Sequence, residues 1–212
     1  MDQDFWLARW RNNQIGFHEG EPNALLVAHF AALGVPPGGR VFVPLCGKSC
    51  DIGWLCDQGY RVVGVELSRH AVEQLFAVMG LTPVTASVGR LERFEAGGVR
   101  IFVGDIFDLD REILGPADAV YDRAALVALP LSLRERYAAH LVAISHAAPQ
   151  LLVTFAYDQT RQSGPPFSVE ESDIQAYYGR RYRLDRVAVR EVPGGIKGVC
   201  PAQESVWLLR SR

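Results

Sequence analysis

The chain has 212 residues, 49% of them hydrophobic, and 22 basic side chains stand against 24 acidic ones. That size and composition fit one packed α/β domain, and a net charge of −2 gives no general pull toward nucleic acid or an anionic membrane. Apolar runs such as residues 151–156 fall far short of the roughly 20 residues a spanning helix needs. The acidic start MDQDFWLARW lacks the basic-then-apolar pattern of a signal peptide.

In chain order, residues 3–13 place Trp6 and Trp10 four apart, on one face of a helix. A second helix over 22–33 starts at Pro22 and stops at Gly34, so residues 1–35 read as a helical cover. After Pro36-Pro37-Gly38-Gly39, residues 40–45 form the first strand, 49–58 a helix and 61–67 (RVVGVEL) a second strand. Ser68 caps a helix carrying Ala71, Val72, Leu75, Phe76 and Met79 at helical spacing. Residues 84–104 are β-structure with a hairpin at Gly97-Gly98, and 117–121 is a further short strand. A helix over 132–147, an apolar strand over 151–157, a Gly-Pro-Pro loop at 164–166 and a helix near 169–178 follow. The β-segments 182–192 and 204–209, joined without a helix, make an antiparallel edge pair. The β-α alternation predicts a single α/β domain over residues 1–212. Its sheet is doubly wound and mostly parallel, with helices on both faces.

Cysteines at 46, 50, 56 and 200 make a poor disulfide framework, and C-x3-C-x5-C with no histidine among them is no familiar zinc spacing. Buried, reduced thiols in a cytoplasmic protein with no metal are the expectation.

The turn after the first strand, PLCGKSC, ends in the letters of a phosphate-binding loop. That loop requires a glycine five residues before the Gly-Lys pair, and Phe42 stands there, inside the strand. A dinucleotide fingerprint needs three glycines, but only Gly47 lies in the turn, so a pyrophosphate has little room. Glu66 nevertheless ends the second strand, 19 residues after Gly47, where this architecture offers a carboxylate to ribose hydroxyls. A ligand with an adenosine ribose and no phosphate satisfies both facts, and S-adenosylmethionine is one. Leu45 and Gly47 then approach the cofactor by backbone, and Leu67 follows Glu66. Asp105 and Ile106, after the apolar strand over 99–103, suit an adenine amine and ring face, although Asp105 also suits a turn cap.

Here the chain resembles the thiopurine S-methyltransferase family. The match rests on W-x3-W at 6–10, FH at 17–18, RVFVPLCGKS at 40–49, VVGVELS at 62–68, IFDL at 106–109, YDRAALVAL at 121–129 and GPPF at 164–167. The resemblance implies a class I, Rossmann-like fold with a seven-stranded type of sheet. It also implies S-adenosylmethionine as cofactor and methyl transfer to aromatic or heterocyclic thiols. It puts Trp6 and Trp10 over the cofactor, Phe17 and His18 at the acceptor pocket, and Arg123 at the cofactor and facing the acceptor, where a fixed cation favours a thiolate. Asp122 is expected to hold Arg123 in place, and Pro165, Pro166 and Phe167 to form an apolar wall. Lys197, between glycines, is a second positive group or part of a lid. Lys48 carries an unexplained charge that suggests a carboxylate partner from another segment.

Three rival readings stand beside this one. Methylation of small selenium or tellurium species fits Arg123 equally well. A non-catalytic S-adenosylmethionine-binding module is a second rival. A nucleic-acid methyltransferase would place an aromatic Pro-Pro motif after the fourth strand, where this chain has DRAALVA. The expected partner is a small thiol or chalcogen substrate, without nucleic acid or membrane, acted on by a monomer.

Overall fold

The computed structural model describes residues 3–16 and 18–212. Helices α1 (Gln3–Arg11) and α2 (Ala24–His29) precede the sheet, and a 3-10 turn, Phe30–Leu33, extends α2. Asn23 caps α2 by accepting from the Leu25 and Leu26 amides, so Pro22 lies ahead of the helix, not in its first turn. The first strand β1 (Arg40–Pro44), helix α3 (Cys50–Asp57), strand β2 (Arg61–Glu66) and helix α4 (Arg69–Val78) follow. Ser49 and Ser68 cap the two helices, each accepting from an amide in the first turn.

Three strands come next: β3 (Val84–Val88), β4 (Leu91–Ala96) and β5 (Val99–Val103). The short helix α5 (Arg111–Leu114) leads to β6 (Ala119–Asp122), α6 (Leu131–Ile144), β7 (Gln150–Tyr157) and α7 (Glu171–Tyr178). The chain ends in β8 (Tyr182–Glu191) and β9 (Ala202–Ser211). The sheet order is β3-β4-β5-β2-β1-β6-β7-β9-β8. Strands β5, β2, β1, β6 and β7 are parallel, and β9 is antiparallel to both its neighbours.

Antiparallel pairing therefore occurs on both edges, not on the C-terminal edge alone. The expected Gly97-Gly98 hairpin makes β4 antiparallel to β5, and a second turn at Gly89, with φ of +57°, closes Val88 onto Leu91. That second turn splits the expected β-region into the ribbon β3–β4, which adds to the seven-stranded core.

Alternation along the strands loads both faces. Val41, Val43 and Val62 pack with α2, α3 and α4 on one side, while Phe42, Val63 and Val65 pack with α6 and α7 on the other. The parallel strands thus need helices on both faces. The chain runs outward from β1 in one direction and returns to β6 on its other side, and a crevice opens at such a reversal. β1 pairs with β2 from Arg40↔Arg61 through Pro44↔Val65, whereas β1–β6 pairing runs through Val41↔Ala119 and Phe42↔Val120 and stops. The carboxyl ends of β1 and β6 are consequently free to diverge.

Candidate active site

A cavity of about 630 Å³ occupies this crevice. Its floor is the turn after β1, the ends of β2 and β6 and the loop after β5; its cover comes from α1 and the segment after it. Three non-glycine residues in the left-handed region line it: Leu45 (φ +47°) after β1, Ala124 (φ +58°) after β6 and Lys197 (φ +52°) between β8 and β9. Such backbone is costly for a side chain other than glycine and concentrates at functional sites. Leu45, Gly47, Glu66, Leu67, Asp105, Ile106, Trp6, Trp10, His18, Arg123, Pro166 and Lys197 all line the cavity.

The Glu66 carboxylate is fixed before any ligand arrives. Its Oε2 accepts from the Gly47 amide at 2.9 Å and its Oε1 from the Ser68 amide at 2.8 Å. Burial raises its pKa, while hydrogen bonds from the Ser68, Gly47 and Leu67 amides pull it back. The geometry also explains why the turn cannot cradle a phosphate. The Cys46 amide donates to Val65 O, Gly47 to Glu66 and Ser49 to Cys46 O. Lys48 Nζ donates to Gln74 Oε1 at 2.8 Å, so its partner is a neutral amide on α4 and not the carboxylate expected.

Gly47 (φ +53°) is required by its cover. A Cβ there would meet Trp10 Cζ2 at 2.8 Å, so the indole sits on the bare backbone of the turn. Trp10 is 5% exposed. The spacing of Trp6 and Trp10 alone favours amphipathic packing of α1 onto the sheet, and the resemblance a cover over the site; here Trp10 packs on the site's own turn. Gln3, from the same helix, donates to Asp105 Oδ2 at 2.6 Å, while Asp105 Oδ1 accepts from the Phe107 amide at 3.0 Å. Asp105 thus caps the turn Ile106–Asp108 with one oxygen and holds Gln3 of α1 with the other, and both residues line the cavity.

At the opposite end stands Arg123, its side chain 13% exposed, ion-paired to Glu19. His18 adjoins them, its pKa lowered by burial and then by Lys48 and Arg123. Leu129, Leu133, Phe155, Pro165 and Pro166 are apolar members of the cavity lining. Lys197 (φ +52°) reaches over from the turn between β8 and β9 and donates to Ser163 O at 3.3 Å.

Two expected residues stay out of the cavity. Asp122 is fully buried behind it, accepting from the Leu126 amide at 3.1 Å and the Tyr137 hydroxyl at 2.8 Å, and it makes no bond to Arg123. As the last residue of β6 it points to the α6 face, opposite in sense to its neighbour. Phe167 turns back onto Gly164, where a Cβ would meet its ring at 2.3 Å, and lies 5.4 Å from the Arg134 guanidinium. Its amide is held by Val127 O at 2.7 Å. Phe17 lies outside the described residues.

The sequence reading missed several contributors. Glu19 pairs with Arg123; Asp51, 1% exposed, accepts from the Asn23 amide at 2.7 Å and the Tyr121 hydroxyl at 2.9 Å. Arg134, 3% exposed, donates to Leu129 O and Ser168 O and so clips the Pro-Pro loop to α6. A charged residue inside an amphipathic helix, like Asp51 or Arg134, gives no sequence signal of burial.

A family model described as Thiopurine S-methyltransferase (TPMT) matches residues 1–212. The chain belongs to the thiopurine S-methyltransferase family. A family relative from Xanthobacter autotrophicus, named thiopurine S-methyltransferase, is 57% identical over 210 residues, covering 99% of each chain. A namesake from Gluconobacter oxydans is 51% identical over 203 residues, covering 96% of this chain and 92% of its own. Solved structures share the fold at low identity. A TehB-like SAM-dependent methyltransferase from Corynebacterium glutamicum matches with a TM-score of 0.59 and 15% identity, over 99% of this chain and 98% of that one. Burkholderia thailandensis 1,6-didemethyltoxoflavin-N1-methyltransferase matches with 0.65 and 17%, over 99% and 87%, and that structure holds S-adenosylhomocysteine.

This member of the thiopurine S-methyltransferase family is therefore an S-adenosylmethionine-dependent methyltransferase. The residues present fit that cofactor: an amide-anchored carboxylate at Glu66, a cover at Trp10, and turn amides already committed to protein acceptors in place of a phosphate.

Proposed function

We propose that this enzyme methylates the sulfur of aromatic or heterocyclic thiols, thiopurines among them, by in-line displacement. S-adenosylmethionine supplies an electrophilic sulfonium methyl group when bound. Glu66, Leu67, Asp105, Ile106, Leu45, Gly47 and the indoles of Trp6 and Trp10 form the half of the cavity suited to hold it. The observation that carries the reading is Arg123, a largely buried cation among the apolar walls of Pro165, Pro166, Leu129 and Phe155.

An ionised sulfur gains from that cation and needs no strong base, and the apolar walls match an aromatic ring while excluding water. Catalysis on this reading is mostly alignment and proximity. The same apolar walls favour a ring-bearing acceptor over a small selenium or tellurium oxyanion, which leaves them unused. The test is mass-spectrometric detection of methylated product across aromatic thiols, thiopurines, selenite and tellurite. Thiomethyl products support the reading. Turnover confined to selenite or tellurite contradicts it, as does cofactor binding without turnover on any acceptor.

A further inference from the structure

The Arg123–Glu19 ion pair joins residues 104 positions apart and lies within the cavity wall. Its two members differ in setting: the Arg123 side chain is 13% exposed and the Glu19 side chain 46% exposed. The cation is fixed, while the anion has open water beside it. Glu19 is also aimed. Its Oε2 accepts from Asn23 Nδ2 at 3.1 Å, and its carbonyl accepts from Cys50 Sγ at 3.5 Å.

Asn23 is in turn tied by its amide to Asp51, and Asp51 to the hydroxyl of Tyr121, two residues before Arg123 on β6. Asn23, Asp51 and Tyr121 are 3%, 1% and 1% exposed. A closed polar circuit thus runs from β6 through α3 and the α2 cap, and returns through Glu19 to Arg123, the residue after β6.

We infer that Glu19 is a specificity-determining residue, a built-in competitor that holds Arg123 and must swing aside for an acceptor that brings its own negative charge. The inference rests on the reading that the acceptor sits beside Arg123. An anionic acceptor exchanges one carboxylate partner of Arg123 for another and displaces Glu19 into water. A neutral acceptor leaves the pair in place and binds against the Pro165–Pro166 wall. Removing the Glu19 charge therefore favours anionic over neutral acceptors selectively.

The test uses 4-(methylthio)benzoate and its methyl ester, product-like thioethers whose sulfur cannot ionise, which share a ring and differ in the carboxylate. Their Kd values are measured by calorimetry with S-adenosylhomocysteine at saturation, in the wild type, Glu19→Gln and Glu19→Ala. The expected result is a rise of about tenfold in the preference for the carboxylate in both variants. In an Arg123→Ala background the Glu19 substitutions no longer change that preference. An unchanged preference, or the same change without Arg123, overturns the inference. Turnover of the parent thiols, 4-mercaptobenzoate and its methyl ester, is read in parallel: if neither is methylated while the preference shifts, the thiol-transfer reading fails and the role of Glu19 stands.

Discussion

Gly47 and Glu66, 19 residues apart, meet at the carboxyl ends of β1 and β2, the glycine amide donating to the carboxylate at 2.9 Å. One bond commits the turn amide that a phosphate would need and orients the carboxylate that suits a ribose. With the Ser68 amide on its other oxygen at 2.8 Å, Glu66 retains lone pairs toward the cavity. Cofactor choice and turn geometry are thus one arrangement.

Replacing Glu66 with alanine removes this acceptor. Cofactor affinity should fall by roughly 1–3 kcal/mol, the range for hydrogen bonds to a charged group. Calorimetric titration with S-adenosylmethionine checks it, and unchanged affinity would exclude Glu66 from the cofactor site.

Gly47→Ala should weaken the cofactor by a different route. The left-handed backbone at φ +53° costs a non-glycine residue about 1–2 kcal/mol, and the new Cβ meets Trp10 at 2.8 Å. The indole must lift from the turn, so tryptophan emission should shift toward that of solvated indole as affinity drops. Loss of affinity with an unaltered spectrum would separate Gly47 from its cover.

Asp122 sets a pH dependence of stability. Burial raises its pKa from 3.8 to about 6, partly offset by hydrogen bonds from Leu126 and Tyr137. The folded protein thus holds this proton more tightly than the unfolded chain. The contribution is fully present below pH 3.8 and is lost as pH rises through about 6, by about 3 kcal/mol. Asp122→Asn stays neutral throughout. Measured by urea unfolding, the variant should gain on the wild type between pH 4 and pH 7, and a constant difference would contradict the assignment.

Arg134→Ala releases the clip between α6 and the Pro-Pro loop, leaving the Leu129 and Ser168 carbonyls without this donor. Stability should fall by about 1–3 kcal/mol. In steady-state kinetics KM for the thiol should rise, with the cofactor Kd held within twofold, because Arg134 holds the Leu129 and Ser168 carbonyls that flank the proposed acceptor wall. Equal weakening of both ligands would argue for a general loss of structure.

The fold was legible because its signals are local. Apolar strands such as VFV and VVGV, the serine caps at 49 and 68 and the glycine turns each act within a few residues. The carboxylate at Glu66 was legible because a charge interrupts an apolar strand at a fixed distance from the turn. Glu19, Gln3 and Arg134 were not legible, since their partners lie 104, 102 and 34 residues away and only the folded sheet brings them together. Asp122 and Phe167 were misassigned for a related reason: adjacency to Arg123 and Pro166 in sequence says nothing of which face a side chain takes. Strand alternation sends Asp122 behind the sheet, and the Val127 carbonyl turns Phe167 away.

The most direct test of the two-part site is Arg123→Ala, with cofactor Kd and thiol kinetics measured on the same preparation. The account predicts a fall of about tenfold or more in kcat/KM for ionised aromatic thiols, from loss of the fixed cation, with cofactor affinity changed by less than about twofold. Full activity on the ionised thiols, or a loss of cofactor binding that matches the loss of rate, would contradict it.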